Sequence, residues 1–258
     1  MSKIIAVANQ KGGVGKTTTA INLSSALSHF GRKVLLIDMD PQGNAGRGLG
    51  IDVTIQNNTT FEMLMGSADI GSCLVKTAFD GLQLIPANLR LASIEPSIQS
   101  TGILNPFFLL REAVEKLPSG QFDYIILDCP PSLGILCLNA LVASSSVIIP
   151  VQCEYFAMEA VASILATITK VQHDYNPGLF IEGFLLTMYD SRTNLGTEIS
   201  SEVRGLFKEN TFLTTVPRNQ SIQESQGRQL PVTSFRPSAQ GSLAYFSLAR
   251  EVIDHEER

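Results

Sequence analysis

The chain has 258 residues, of which 44% are hydrophobic and 17% charged, so it is long enough to bury a large core without a disulfide or a metal. Its 19 basic and 24 acidic residues give a net charge of −5 at pH 7. This balance excludes a protein that binds nucleic acid through overall charge, because such domains are strongly basic, but it leaves room for a local basic patch.

The first half of the chain alternates short apolar runs with segments of helical spacing. Residues 3–9 are apolar and β-branched, which predicts a buried strand, and the apolar spacing over 16–30 predicts a helix that ends at Gly31. The segment 40–50, rich in glycine, is predicted to be a loop. The other elements predicted here are a strand at 33–38, a helix at 61–65, a strand at 82–86, a helix at about 104–117 and a strand at 122–128.

The second half repeats this alternation. Its predicted elements are a helix at about 132–143, a strand at 146–151, a helix at 156–174, a strand at 180–187, a helix at 195–209, a strand near 212–216 and a helix at about 239–255. Continuous apolar strands separated by helices are typical of a parallel sheet covered on both faces. No linker or repeat divides the sequence, so we predict a single α/β domain over 1–258 with a mostly parallel, twisted sheet.

The cysteines and the apolar runs argue against further classes of protein, namely those with a metal centre, a signal peptide or a membrane span. Neither a CxxC motif nor a Cys/His cluster occurs, which argues against a zinc or iron–sulfur centre within one chain and favours reduced thiols. The first residues lack the apolar core of a signal peptide, and no run of about 18 apolar residues predicts a membrane span. We therefore expect a cytoplasmic protein. The four cysteines are Cys73, Cys129, Cys137 and Cys153.

The most specific motif is the glycine-rich segment at residues 11–18, between the first predicted strand and the first predicted helix. Its glycines let successive backbone N–H groups face one point, and the helix N-terminus adds positive charge, so the segment predicts a phosphate-binding loop. Lys16 is expected to reach the β- and γ-phosphates, Thr17 to ligate Mg²⁺ and Thr18 to bind the α-phosphate. The predicted binding residues of the loop are Lys11, Gly12, Gly13, Val14, Gly15, Lys16, Thr17 and Thr18.

One departure from the common phosphate-binding motif is informative. The usual spacing needs a glycine where this chain has Gln10, and the chain has a second lysine, Lys11, instead. The pattern K-G-G-x-G-K-T-T resembles the deviant Walker A motif of the ParA/MinD family of P-loop ATPases. The resemblance implies an ATP-dependent sandwich homodimer in which Lys11 reaches the phosphates of the partner's ATP. Lys11, Lys16 and Asp40 are then the expected catalytic residues.

Further segments extend the resemblance over nearly the whole chain and point to the chromosome-partitioning ParA branch. They are ANQKGGVGKTT at 8–18, LLIDMDPQGNA at 35–45, DYIILDCPPSLG at 123–134, TMYDSRTNLG at 187–196 and VPRN at 216–219. The resemblance implies a P-loop NTPase fold, ATP and Mg²⁺ as ligands, and slow ATP hydrolysis that a ParB-like centromere-binding partner stimulates.

The resemblance gives roles to three carboxylates. Asp40 would position and deprotonate the water that attacks the γ-phosphate. Asp128, at the carboxyl end of a predicted strand, would hold Mg²⁺ through water, and Asp38 would hold a second magnesium-bound water. The alternative for Asp40 and Asp128 is a turn- or helix-capping role. Residues 129–132, with two prolines, would form a second switch segment.

The resemblance also places the adenine. Met188, Pro217, Arg218 and Asn219 follow late predicted strands and would surround the base through backbone contacts and the Asn219 amide. The alternative for Pro217 is that it only terminates a strand.

DNA binding is the implied property with the least support from the residues. ParA proteins of this branch bind DNA without sequence preference through late basic residues, in a manner that weakens steeply with salt. Arg192 matches a basic family position, whereas two others are replaced by Ser221 and Leu230. Arg228 and Arg236 are candidates to substitute for them. The alternative is that these arginines are solvated surface residues.

The best hypothesis is an ATPase that partitions chromosomes or plasmids and associates with the nucleoid. ATP binding would assemble a dimer that binds DNA, and hydrolysis would release it. Two alternatives are a related ATPase that positions a protein cargo and a nucleotide-gated binding module with weak or no DNA binding. A membrane-bound variant is not expected, because residues 250–258 are acidic rather than basic and amphipathic.

Overall fold

A computed structural model describes residues 2–154 and 157–255, and the described strands form one sheet. The strands are β1 Lys3–Val7, β2 Val34–Asp38, β3 Val75–Lys76, β4 Leu82–Ile85, β5 Tyr124–Asp128, β6 Ser146–Gln152, β7 Phe180–Tyr189 and β8 Thr211–Pro217. Their spatial order is β3-β4-β2-β5-β1-β6-β7-β8, and all neighbours are parallel except β3 and β4. The predicted mostly parallel sheet is confirmed.

Helices cover both faces of this sheet. They are α1 Lys16–His29, α2 Asn44–Gly48, α3 Thr60–Leu64, α4 Ile94–Thr101, α5 Leu109–Val114, α6 Ile135–Ala143, α7 Ala157–Asp174, α8 Asn194–Phe207, α9 Gln220–Gly227, α10 Val232–Phe235 and α11 Gln240–Asp254. Short 3-10 turns occupy Ile70–Cys73, Leu89–Ser93 and Lys208–Asn210. The predicted start of α7 at residue 156 lies outside the described residues.

The core consists of two apolar layers, one on each face of the sheet. Every residue of β2 and β5 is buried, as parallel strands covered on both sides require. Leu35 and Ile37 of β2 face the layer formed with α5, α6 and α7. Leu36 faces the opposite layer, where α1 and α11 pack. Alternating side chains of one strand therefore anchor helices on both faces.

Several predicted boundaries were wrong for local reasons. The helix expected at about 104–117 is reduced to α5, because Pro106 disfavours helical backbone at the residue before it. The helix expected from about 132 begins at Ile135, after Gly134. The segment 40–50, predicted to be a loop, contains α2, whose N–H groups bind a buried carboxylate described below.

Besides α2, four helices and strands were not predicted from the sequence: β3, α4, α9 and α10. Strand β3 has only two residues, and α10 has four. Helix α4 contains Pro96, which a first helical turn tolerates, and α9 has a polar sequence without a continuous apolar stripe. Short or polar segments of this kind lack the periodicity on which prediction depends.

The β8 edge of the sheet is covered by side chains. The carboxylate of Glu251 accepts hydrogen bonds from the backbone N–H groups of Leu213 (2.7 Å) and Thr214 (2.8 Å). Arg204 donates to the carbonyl oxygen of Leu213 at 3.2 Å. Helices α8 and α11 thereby satisfy backbone groups that an edge strand otherwise leaves open.

All four cysteines are buried and free of disulfides. None of the helices within residues 2–154 and 157–255 combines the length and apolar character needed to cross a membrane.

Candidate active site

The glycine-rich loop connects the carboxyl end of β1 to α1, at the same sheet edge as the ends of β2 and β5. Gly13 and Gly15 have φ angles of 76° and 89°, a left-handed conformation that favours glycine. Gly15 is the N-cap of α1 and supplies no side-chain hydrogen bond, so the first N–H groups of the helix stay open to an anion. The local geometry is that of a phosphate-binding loop.

Two polar side chains that the sequence analysis did not single out fix this loop. Asn9 is buried, and its amide donates to the carbonyl of Pro150 at 2.7 Å while its oxygen accepts from the N–H of Lys11 at 3.0 Å. The Thr187 hydroxyl donates to the carbonyl of Val14 at 2.9 Å. The loop is therefore held by β6 and β7, which come much later in the chain.

Lys16 is a buried cation at the centre of the site. It is only 6% exposed, and its Nζ donates to the carbonyl of Lys11 at 3.0 Å. Burial lowers the pKa of its ammonium group, and the nearby carboxylates of Asp128 and Asp40 oppose that shift. Lys16 thus has a neighbouring negative charge in the protein and one backbone acceptor, with its remaining donors available for phosphate oxygens.

Asp128 and Asp38 lie side by side at the ends of β5 and β2, where the strand register pairs them directly. Asp128 is fully buried, and neither of its oxygens has a hydrogen-bond partner among the described residues. Burial raises the pKa of the Asp128 carboxyl well above its ordinary value, and the Asp38 carboxyl raises it further. Thr17 and Lys16 act in the opposite direction. Such an unpartnered carboxylate is costly unless a cation or bound water satisfies it.

Asp38 differs from Asp128 because backbone groups satisfy its oxygens. One oxygen accepts from the N–H of Asp40 at 3.0 Å, and the other accepts from the N–H groups of Ala45 (3.0 Å) and Gly46 (3.4 Å). Burial raises the pKa of Asp38 to about 7, with these hydrogen bonds opposing the shift. Asp38 therefore positions the segment that carries Asp40 and the start of α2. Its role in holding a magnesium-bound water stays a prediction.

Asp40 lies at the rim of the same site and is largely buried. One of its oxygens accepts from the N–H of Gln42 at 2.9 Å, which fixes the orientation of the carboxylate. Lys16 is close enough to interact with it electrostatically. The structure brings the predicted site residues Asp40, Lys16 and Asp128 near one another.

The residues present fit a magnesium ion bound mainly by substrate and water. Within the described part of the chain, no group of three or more His, Cys, Asp or Glu side chains could hold a metal alone. Mg²⁺ typically keeps several waters and uses one or two carboxylates together with phosphate oxygens. The free oxygens of Asp128 and the Thr17 hydroxyl meet that requirement.

We expect Asp128→Asn to stabilise the metal-free, nucleotide-free protein while impairing its ATPase activity. A carboxyl whose pKa is raised on folding contributes stability below its unfolded pKa and loses it as the pH rises, by about 1.4 kcal/mol for each pH unit up to the folded pKa. Urea unfolding in EDTA at pH 6 and at pH 8 measures the free energy of unfolding. We expect this free energy to fall less between pH 6 and pH 8 for Asp128→Asn than for the unsubstituted chain. Exposed Asp80→Asn is the control, and an equal loss in all three proteins would refute the expectation.

A cleft of about 170 Å³ adjoins the loop on the β7–β8 side. Met188, Pro217, Arg218 and Asn219, the predicted adenine contacts, line it together with Gly15 and Thr18. Met188 was predicted to follow a strand, but it lies within β7 and has a φ of 50°. Pro217, also predicted to follow a strand, is the last residue of β8. The Asn219 oxygen caps α9 by accepting from the N–H of Ser221 at 3.0 Å, so this side chain both fixes the helix start and lines the cleft.

Helix α9 contributes cleft residues that the sequence analysis missed. Gln223 and Gln226 line the cleft, and the Gln226 amide donates to the Thr18 hydroxyl at 2.8 Å. No motif marked these residues, because the helix that carries them was itself not predicted. The signal that could have identified Gln223 and Gln226 is their spacing of four and seven residues from Asn219, which places all three on one face of a helix.

Lys11, the second lysine of the loop, forms an ion pair within its own chain. Its Nζ lies 3.3 Å from an oxygen of Glu154, at side-chain exposures of 27% and 47%. Gln152 donates to the same carboxylate at 2.6 Å, and Arg218 approaches it at 3.9 Å. A half-exposed pair of this kind is weak, so Lys11 is free to exchange this carboxylate for a stronger anion.

The candidate DNA-binding arginines lie on the surface, and carboxylates neutralise two of them. Arg192 is 87% exposed and binds Asp190 through two hydrogen bonds of 2.9 and 2.7 Å. This pair lowers the pKa of Asp190 to about 2. Arg236 pairs with Glu224 at 3.0 Å. Arg228 and Arg236 both contact the Phe235 ring, which joins them into one cluster.

Comparison with known proteins gives a consistent result. The AAA domain family matches residues 2–181. The sporulation initiation inhibitor protein Soj of Bacillus subtilis is 44% identical over 252 residues, which are 98% of both chains. The chromosome partitioning protein ParA of Caulobacter vibrioides is 43% identical over 255 residues, 98% of this chain and 95% of that one. A cobyrinic acid a,c-diamide synthase from Mycobacterium smegmatis, solved with an ATP analog and magnesium, has a TM-score of 0.88 at 37% identity and covers 100% and 96% of the two chains.

Proposed function

Because the chain belongs to the Soj/ParA family of chromosome-partitioning ATPases, we propose that it is a switch that pairs with a second copy when ATP binds. The protein is an ATPase that uses ATP with Mg²⁺ and acts in ATP-dependent chromosome partitioning. The observation that supports the switch most directly is a phosphate-binding loop with two lysines in different environments, one buried and one exposed.

The loop and its neighbours supply the parts of a phosphoryl-transfer site. The backbone N–H groups of the loop and Lys16 bind the phosphates, and Thr18 binds the α-phosphate. Bound Mg²⁺ would neutralise phosphate charge, and Thr17 and Asp128 are the residues that would hold it. Asp40 orients the attacking water and accepts its proton as the γ-phosphate leaves ADP. Met188, Pro217, Arg218 and Asn219 surround the adenine.

The partly exposed position of Lys11 supports the proposed dimer, in which the family resemblance implies that this lysine reaches the partner's ATP. In one chain it pairs with Glu154, outside the set of groups around Lys16. The phosphates of ATP bound to a second copy carry more negative charge than this carboxylate, so Lys11 exchanges partners across the interface. Turnover is slow in the absence of a ParB-like partner, which completes or orders the site.

DNA retention by the ATP-bound dimer is the property that partitioning requires. A dimer doubles the cluster formed by Arg228 and Arg236 and doubles the contribution of Arg192. Neutralisation of Arg192 by Asp190 and of Arg236 by Glu224 makes this binding modest and sensitive to salt. Release after hydrolysis would let the protein cycle on the nucleoid. A relative such as the Caulobacter vibrioides protein is named a chromosome partitioning protein, which favours DNA partitioning over the positioning of a protein cargo.

The test is a titration of duplex DNA against salt for the nucleotide-free, ADP-bound and ATP-bound protein. We expect DNA to be retained only by the ATP-bound protein. Arg192→Ala, present in both chains of a dimer, should weaken DNA binding about fivefold or more. Asp190→Asn should strengthen DNA binding, because it frees Arg192. Exposed Lys33→Ala is a control for the loss of one charge. Absence of DNA retention at about 50 mM salt with ATP would overturn the proposed DNA binding.

A further inference from the structure

Helix α9 makes a direct contact with the phosphate-binding loop. The Gln226 amide donates to the Thr18 hydroxyl oxygen at 2.8 Å, across 208 residues of sequence. Asn219, Gln223 and Gln226 are spaced by four and three residues, so they share one helix face, and all three line the cleft with Thr18. Gln226 therefore stands between the predicted adenine contact and the predicted α-phosphate contact.

The hydrogen bond from Gln226 determines how the Thr18 hydroxyl can bind a further group. A hydroxyl has one proton to donate and two lone pairs to accept with. The Thr18 oxygen accepts from Gln226, and no residue of the described chain accepts the Thr18 proton. The Thr18 carbonyl is fixed separately by the Asn22 amide at 2.7 Å. The hydroxyl proton is thus free to point into the cleft.

Gln226 can hold this geometry because α9 is fixed at both ends. Asn219 caps the N-terminus, and the carbonyl of Gln226 accepts from the N–H of Gln229 at 3.0 Å. In the middle, Glu224 is paired with Arg236 on α9's other side. A donor mounted on a fixed element loses little entropy when it orients its acceptor.

We propose that Gln226 is a positioning residue of the nucleotide site, whose amide fixes the Thr18 hydroxyl as a hydrogen-bond donor to the α-phosphate. This inference rests on the proposed binding of ATP at residues 11–18. Donation from Gln226 polarises the Thr18 O–H bond and strengthens its donation to an anionic oxygen. Since ADP and ATP share the α-phosphate, Gln226 acts equally on both nucleotides and acts on binding rather than on the chemical step.

Reversing the polarity of this hydrogen bond is the decisive experiment. Gln226→Glu has nearly the same shape, but its carboxylate accepts the Thr18 proton and turns it away from the phosphate. We expect the Kd for ADP, measured by titration calorimetry, to rise about 30-fold in Gln226→Glu and about threefold in Gln226→Met. The KM for ATP should rise in parallel, while kcat stays within about twofold of the unsubstituted protein.

Two further variants separate positioning from a general effect. Gln229→Glu adds the same charge to the end of α9 outside the cleft and should bind ADP normally. In a Thr18→Val background, Gln226→Met should have no additional effect, because the group that it positions is gone. Normal ADP binding by Gln226→Glu, or an unchanged effect of Gln226→Met in the Thr18→Val background, would overturn the proposal. If Lys16→Ala also binds ADP normally, the nucleotide site itself is wrong.

Discussion

Asp40→Ala should bind ATP almost normally but hydrolyse it at least about 100-fold more slowly. The carboxylate is held by the N–H of Gln42 at the rim of the site and, among the described residues, makes no hydrogen bond to the loop at 11–18. Its removal takes away the group proposed to orient and deprotonate the water, but leaves the phosphate-binding N–H groups and Lys16 in place. Phosphate release under single-turnover conditions measures the chemical step directly.

The same variant should accumulate in the paired, ATP-bound form, because hydrolysis is the step that ends it. Sedimentation with ATP and with ADP would report the two states. Asp52→Ala removes an exposed carboxylate from the following loop and serves as the control. Unchanged phosphate release by Asp40→Ala would show that another group activates the water.

Lys16→Ala should weaken ATP binding about 100-fold. Lys16 is the buried cation of the site, so its loss removes charge-assisted hydrogen bonds to phosphate and leaves Asp128 and Asp40 to repel the nucleotide. Titration calorimetry with ATP and Mg²⁺ measures the effect. Lys33→Ala, which removes an exposed lysine, should bind ATP normally, and tight binding by Lys16→Ala would remove Lys16 from the site.

Lys11→Ala provides the contrast that separates the two lysines. Its side chain is partly exposed and, among the described residues, forms its ion pair with Glu154, so a single chain should still bind ADP. ATP-dependent pairing should be lost, since the charge proposed to cross to the second copy is missing. Loss of ADP binding in the single chain would instead place Lys11 in the same role as Lys16.

The parts of the fold that could be predicted are those whose information is local. The strands that became β2 and β5 are continuous apolar runs, and the loop at 11–18 has fixed glycine spacing between a strand and a helix. Asp40 and Asp128 were identified through the family resemblance, and they lie just after or at the carboxyl end of such a strand. Their meeting with Lys16 follows from strand order, since β1, β2 and β5 are neighbours that end at one edge.

The parts that could not be predicted depend on contacts made far along the sequence. Asn9 and Thr187 connect the loop to β6 and β7, and although both lie in segments that carry the resemblance, nothing in those segments shows that they fix the loop. Helix α2 is stabilised by the carboxylate of Asp38, and a five-residue element has no periodicity to detect. Gln226 became visible only when α9 was placed beside Thr18.

The covered edge at β8 restricts how copies of this protein can associate. With Glu251 and Arg204 occupying backbone groups of Leu213 and Thr214, another chain cannot readily add its own strand there. At the opposite edge, β3 has two residues, too few to template a stable extension. Fibre-like growth through continuous sheets is thereby disfavoured even at high local concentrations of the protein. The proposed association would then use surfaces that a bound nucleotide can make and unmake.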